Sequence, residues 1–281
     1  MLVIAGAGEI GGALAQRAAA RSRFRDIRLI DENGTVAAGK ALDIRQAGPV
    51  DGYDTRVTGH ASLDAAAGAT VVAIADAATG VEWEGDAGLA MLARLLPFIG
   101  DAPIVFAGTK QRSLLEAAHR ELKLPASRMA GAAPIALEGA LQALAALAID
   151  RSATEIDLRA YGRAPESIVI AWSGGSAAGA PIEQVLAAHQ RLAISDRAKG
   201  LWPPGPTALG SAASRVAEAF AFGSRRGLTC LVIGDGSVMP RGAAAAVPAQ
   251  FVPGSILKMN RPALSPKEQV EFDSGFGDYA A

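Results

Sequence analysis

The chain has 281 residues, half of them apolar and a fifth charged, with a formal net charge of −1. That length allows one large or two ordinary domains with ample chain to bury a core, and the composition excludes a disordered protein. With near-zero charge and no Lys/Arg stripe, nothing points to nucleic acid or to an anionic membrane surface as a partner.

Short apolar runs alternate with helical patterns through the first 131 residues. Residues 2–5, 27–30, 55–58, 70–75, 104–107 and 128–130 read as strands, while 12–22, 36–46, 87–98 and 113–122 carry helical periodicity. Buried strands alternating with helices predict crossover units and a parallel sheet covered on both faces, and six such strands predict a doubly wound, Rossmann-type sheet. After Gly131 the pattern changes. A long Ala/Leu helix over 135–148 leads into a strand pair, 156–161 and 167–172, and a flexible loop at 174–179. Helices over 182–199 and 207–223 flank Pro203 and Pro204, and β-type runs follow at 228–233, 249–252 and 255–259. A last helix opens on Ser265 and Pro266 and ends by Ser274, leaving a short Gly-containing tail over 276–281. The expected organisation is an α/β fold in two parts: a dinucleotide-binding domain over 1–131 and an α+β domain, for substrate or assembly, over 132–281.

The single cysteine, Cys230, excludes an internal disulfide and reads as a buried, inert thiol within the apolar run 228–233. The longest apolar stretch, 139–149, is too short to span a bilayer, and a strand starting at residue 2 leaves no room for a signal peptide. A soluble, cytoplasmic protein is expected.

The first strand runs into Gly6-Ala7-Gly8-Glu9-Ile10-Gly11-Gly12 and then a helix. Gly6 permits the tight turn, Gly8 lets backbone approach a pyrophosphate, and Gly11 lets the helix pack on the strand. The helix N-terminus offers free N–H groups to phosphates. Asp31, at the end of the second strand, can accept hydrogen bonds from a ribose diol and would repel a 2′-phosphate, which favours NAD over NADP. The alternative is a turn with structural glycines.

With GKALD at 39–43, Pro49-Val50 and DTRVTG at 54–59, the run from Leu2 to Gly59 resembles bacterial malate dehydrogenases of the lactate/malate dehydrogenase family. The pattern continues without gaps from Thr109 to Gly162, with Leu124-Pro125, Gly131 and Gly162 as anchors. The resemblance implies NAD as cofactor, held by Gly6, Gly8, Glu9, Ile10, Gly11, Asp31, Ala75, Ala77 and Thr109. It also implies a homo-oligomer, consistent with apolar helices such as 139–149.

The family's reaction needs a histidine held by an aspartate, and arginines that grip the substrate carboxylate. On the family pattern these positions fall at Ala164, Leu137 and Ala140. The loop after residue 75 has no arginine and four acids, Asp76, Glu82, Glu84 and Asp86, and the family's Asn-Pro becomes Thr109-Lys110. No catalytic set and no metal site is expected. A register slip of one puts Glu138 and Arg163 on the aspartate and histidine positions, but a guanidinium does not give up its proton. Arg163 can still meet an anion there. His60, His119 and His189 read as ordinary loop or helix residues, the loop acids as solvated, and Trp83 and Trp202 as packing residues. The chemistry stays open among three readings. One is a catalytically silent NAD(H)-binding protein on which malate oxidation is lost. The second is an oxidoreductase with a rearranged site and a substrate without the usual α-carboxylate. The third is an interaction module whose cofactor site is vestigial, motivated by Asp76, a charge where the family has small neutral residues against the dinucleotide.

Overall fold

The computed structural model describes residues 1–277, so the end of the expected tail, 278–281, lies outside the described residues. The first half contains β1 (Leu2–Ala5), α1 (Glu9–Ala20), β2 (Asp26–Ile30), α2 (Gly34–Asp51), β3 (Arg56–His60) and β4 (Val71–Ile74). It continues with α3 (Gly85–Ile99), β5 (Ile104–Phe106), α4 (Arg112–Glu121) and β6 (Met129–Gly131). These six strands pair in parallel in the order β3-β2-β1-β4-β5-β6, as a doubly wound sheet requires. The residues of β1 explain the two-faced burial. Leu2 and Ile4 enter the cluster beneath α1 and α2, while Val3 and Ala5 enter the one beneath α3 and α4. The Asn33 carboxamide accepts the Val36 N–H at the start of α2, and Gly52 ends that helix at φ +79°, a left-handed conformation suited to glycine.

The second half holds α5 (Ala133–Ile149), β7 (Ile156–Asp157), β8 (Ala160–Arg163), β9 (Ser167–Ile170), β10 (Ser176–Ala177) and β11 (Ala180–Pro181). Then come α6 (Ile182–Val185), α7 (Ala188–Lys199), α8 (Pro206–Phe222), β12 (Leu228–Ile233), β13 (Ala244–Val252), β14 (Ser255–Met259) and α9 (Pro266–Ser274). The parallel sheet does not stop at residue 131. β12 pairs antiparallel with β6, and the ladder runs on through β13, β8 and β9 to make one eleven-stranded sheet with β14 beside β13. Cys230 is buried within β12, where burial pushes its thiol pKa up.

Several elements differ from expectation. The helix expected over 182–199 is broken into α6 and α7. The break is held by the Gln190 carboxamide, which accepts the Ala187 N–H at 2.9 Å. The strand expected over 156–161 splits between β7, in a small sheet with β10 and β11, and β8 in the main sheet. The run expected at 249–252 is only the end of the nine-residue β13. α9 starts as expected, with the Ser265 and Glu268 side chains each accepting the other's backbone N–H.

Candidate functional site

The turn between β1 and α1 is built on glycines for steric reasons. Gly6 stands at φ +114°, and a Cβ on Gly11 would lie 2.1 Å from the Gly6 carbonyl oxygen. Gly6, Gly8 and Gly11 are buried, Glu9 is exposed, and Ile10 turns into the core. Asp31, 8% exposed, ties this turn down. Its Oδ2 accepts from Ala7 N–H (2.9 Å) and Ala78 N–H (2.8 Å), and its Oδ1 from Asn33 N–H (2.9 Å). All three donors are backbone amides of the chain.

The segment after β4 lies across the same turn. Asp76, 4% exposed, accepts the Gly11 N–H on Oδ1 (3.0 Å), while its carbonyl accepts the Gly8 N–H (2.9 Å). A Cβ on Gly8 would be 2.2 Å from Asp76 Cγ and 2.5 Å from the Ala77 oxygen. The Asp76 side chain therefore rests directly on the glycine turn. On its other side, Lys40 Nζ donates to the Gly8 carbonyl at 2.5 Å. The segment then doubles back. Ala77 N–H donates to Val81 O at 2.9 Å, and an isolated bridge joins Asp76 to Glu82. Glu82 reaches the end of β5 and accepts from Thr109 N–H (2.8 Å), Thr109 Oγ1–H (3.0 Å) and Lys110 N–H (2.9 Å). Beside Asp31 a cleft of about 570 Å³ remains, lined by Ile30, Leu63, Trp83, Met91, Arg94 and Phe98 among others.

The other end of the site lies where β5, α5 and the β8–β9 hairpin meet. A cavity of about 20 Å³ lies there, lined by Phe106, Gly108, Thr109, Gln111, Ala164 and Trp202 among others. Arg112 closes it from the side. It grips Glu166 through both guanidinium nitrogens (2.6 and 3.1 Å) and also donates to the Ala164 carbonyl (3.1 Å). The hydrogen bond from Arg112 holds the Glu166 carboxyl below its usual range. Leu137 is buried in an apolar cluster with Leu158 and Ala160. Glu138 beside it is buried against Arg159 (3.2 Å), the Ala160 N–H (3.3 Å) and the Thr229 hydroxyl. Burial pushes its carboxyl up to about 7, against the opposing charge of Arg159. Ala140 lines a separate cleft of about 540 Å³ between α5 and α8, with Leu201, Pro203 and Arg215. Trp202 lines the small cavity and its neighbours Leu201 and Pro203 the larger one, so this segment is the wall between them.

No family model matches the chain. Curated relatives do. It is 26% identical to malate dehydrogenase of Myxococcus xanthus over 291 aligned positions, covering 96% of this chain and 92% of that one. To malate dehydrogenase of Thermomicrobium roseum it is 28% identical over 205 positions, 70% of this chain and 66%, just under two thirds, of the relative. Among solved structures, malate dehydrogenase from Salinibacter ruber superposes with a TM-score of 0.88 at 22% identity, over 99% of this chain and 94% of that one. The chain is thus similar over most of its length to malate dehydrogenases, and its fold is that of malate and lactate dehydrogenases.

Within that family fold, the expected site residues separate into two groups. Gly6, Gly8, Gly11, Asp31, Ala75 and Ala77 come together at the turn, and Thr109 joins them only through Glu82. Glu138 and Arg163 do not form a dyad. Glu138 faces Arg159, while Arg163 donates to the Gly275 carbonyl at 3.4 Å. His60 meets Thr58, His119 meets the Leu124 carbonyl, and His189 is exposed on α7, so no histidine lines the small cavity. Among the described residues no three His, Cys, Asp or Glu side chains converge on a metal-sized site, and no helix is long and apolar enough to cross a membrane. Sequence reasoning weighed the loop acids as solvated. Asp76 and Glu82 are instead hydrogen-bonded into the fold, and the signal the sequence carried was Asp76 itself, a charge where the family has small neutral residues against the dinucleotide.

Proposed function

We propose that this chain is a lactate/malate dehydrogenase-family protein that does not turn over 2-hydroxy acids. The observation that carries this is the closed end of the site. Ala164 stands where the family pattern puts the proton-accepting histidine, and the space in front of it is about 20 Å³. That volume is near what a single water needs, and far below what a small dicarboxylate needs. No imidazole is there to take a hydroxyl proton, a role usually worth about 10²–10⁴-fold. The Arg112 guanidinium, the cation nearest in the lining, is already spent on Glu166 and on the Ala164 carbonyl. The test is a coupled assay of oxaloacetate and pyruvate with NADH, extended to other 2-oxo acids. The expected rate is indistinguishable from background, and turnover on the order of 1–10³ per second overturns the reading.

We read the chain further as a cytoplasmic homo-oligomer. What supports assembly is the outer side of α5, where Gly139, Ala143 and Leu147 are exposed, Leu147 at 80%. Light scattering at micromolar concentration should give a multiple of the 28.6 kDa chain mass, and a mass equal to it removes this reading.

A further inference from the structure

We infer that Asp76 serves as the anion of its own nucleotide cradle, so that the protein does not take up NAD(H) or any ligand whose diphosphate must rest on the turn between β1 and α1. This does not depend on the loss of turnover, because a chain without the chemistry can still bind a dinucleotide. A diphosphate needs two things at such a turn: backbone N–H groups at a helix N-terminus, and space for its oxygens against glycines with no Cβ. Asp76 takes part of both. The Gly11 N–H is given to Asp76 Oδ1, and the free side of Gly8 is covered by the Asp76 carboxylate and the Ala77 carbonyl. The second anchor is spent as well. Asp31, which would receive a ribose diol, is buried and accepts from three backbone amides, one of them Ala78 N–H in the covering segment. The two carboxylates thus hold the segment after β4 down onto the turn. A phosphate arriving there would meet a buried like charge at contact distance, where charges are poorly screened. Lys40 Nζ is held on the Gly8 carbonyl at the same turn. The residues present therefore do not fit the family's cofactor.

The test is titration of NADH, ADP-ribose and adenosine into the wild type and into Asp76→Gly and Asp76→Ser, each checked for a thermal transition. Wild type should show no saturable binding of NADH up to about 1 mM, well above the micromolar range typical of good sites. Both substitutions should improve binding of the two diphosphate ligands by at least about tenfold, since removing one contact charge in a partly buried site is worth that much. Adenosine should gain nothing. Micromolar NADH binding by wild type overturns the inference, and so does a folded variant with no gain, or a gain shared equally by adenosine. If neither variant folds, the amide resonances of Gly8 and Gly11 in the wild type decide. They should stay in place under about 5 mM NADH, and a saturable shift of either refutes self-occupancy.

Discussion

At the scale of single residues, Glu138 carries the plainest energetic consequence. Its side chain is 3% exposed, and burial lifts its pKa to about 7, while its partner Arg159 is 41% exposed and also bonded to Asp157. The folded state therefore holds the Glu138 proton more tightly than the unfolded chain does. Between the ordinary carboxylate range and about pH 7 the folded protein binds more protons, so this group lowers stability as pH rises through that window. Below the window its penalty is absent, and above it the penalty is complete. Glu138→Gln keeps the shape and removes the charge. Its advantage over wild type should be near nil at pH 4.5 and grow to roughly 1–3 kcal/mol by pH 8. Urea midpoints for the two proteins across that range check this, and parallel pH profiles refute it. The sequence placed Glu138 one step from the family's aspartate position, but side-chain direction decides its use. α5 turns Glu138 toward Arg159 and Thr229, and no residue of the β8–β9 turn receives it.

At the scale of elements, the legible parts were those with one strong signal. β1 and β4 are four-residue apolar runs buried throughout, and the glycine turn has a steric rule behind each glycine. What stayed hidden has no local signal. β13 is rich in alanine through Ala244–Ala246, a helix-favouring composition that forms a strand because β12 and β8 flank it in the sheet. The α6–α7 break rests on one carboxamide reaching back to Ala187, a poor capping residue by type. The segment between β4 and α3 reads from sequence as a loop with solvated acids, but Glu82 gives it three hydrogen bonds to Thr109 and Lys110. Glu82→Ala should cost about 1–3 kcal/mol, the usual worth of charge-assisted bonds, and release the turn at Thr79–Gly80. Protease cleavage there should speed up relative to wild type in native buffer. An unchanged cleavage rate means the segment is held by Asp31 and Asp76 without help from Glu82.

At the scale of the whole molecule, the question is whether the two parts seen in sequence, before and after residue 131, behave as two bodies. The alternation of strands and helices makes the first part legible as a unit, because crossover connections are local in sequence. The contacts that join it to the second part are not local, and no motif announces them. β6 pairs with β12 in one sheet, and α1 lies against α8 so closely that a Cβ on Gly210 would sit 2.6 Å from the Leu14 nitrogen. Arg21 on the first half binds Glu218 on α8 through two nitrogens, and one buried cluster contains Leu14 and Ala18 together with Leu209, Ala213 and Val216. Separating the halves would expose that cluster to water, at about 25 cal/mol for each Å² of apolar surface. We therefore expect the chain to unfold in one step. Gly210→Ala is the sharp test, because its added methyl meets backbone, which cannot rotate away as a side chain can. The expected loss is about 1–3 kcal/mol. More telling is where the loss is felt. Trp83 reports on the first half, and Trp172 and Trp202 on the second. In variants retaining Trp83 alone or Trp202 alone, Gly210→Ala should lower the denaturant midpoint seen by each tryptophan by the same amount. If only the Trp202 transition moves, α8 belongs to a separately folding body, and the α1–α8 contact is an interface between two domains rather than the centre of one.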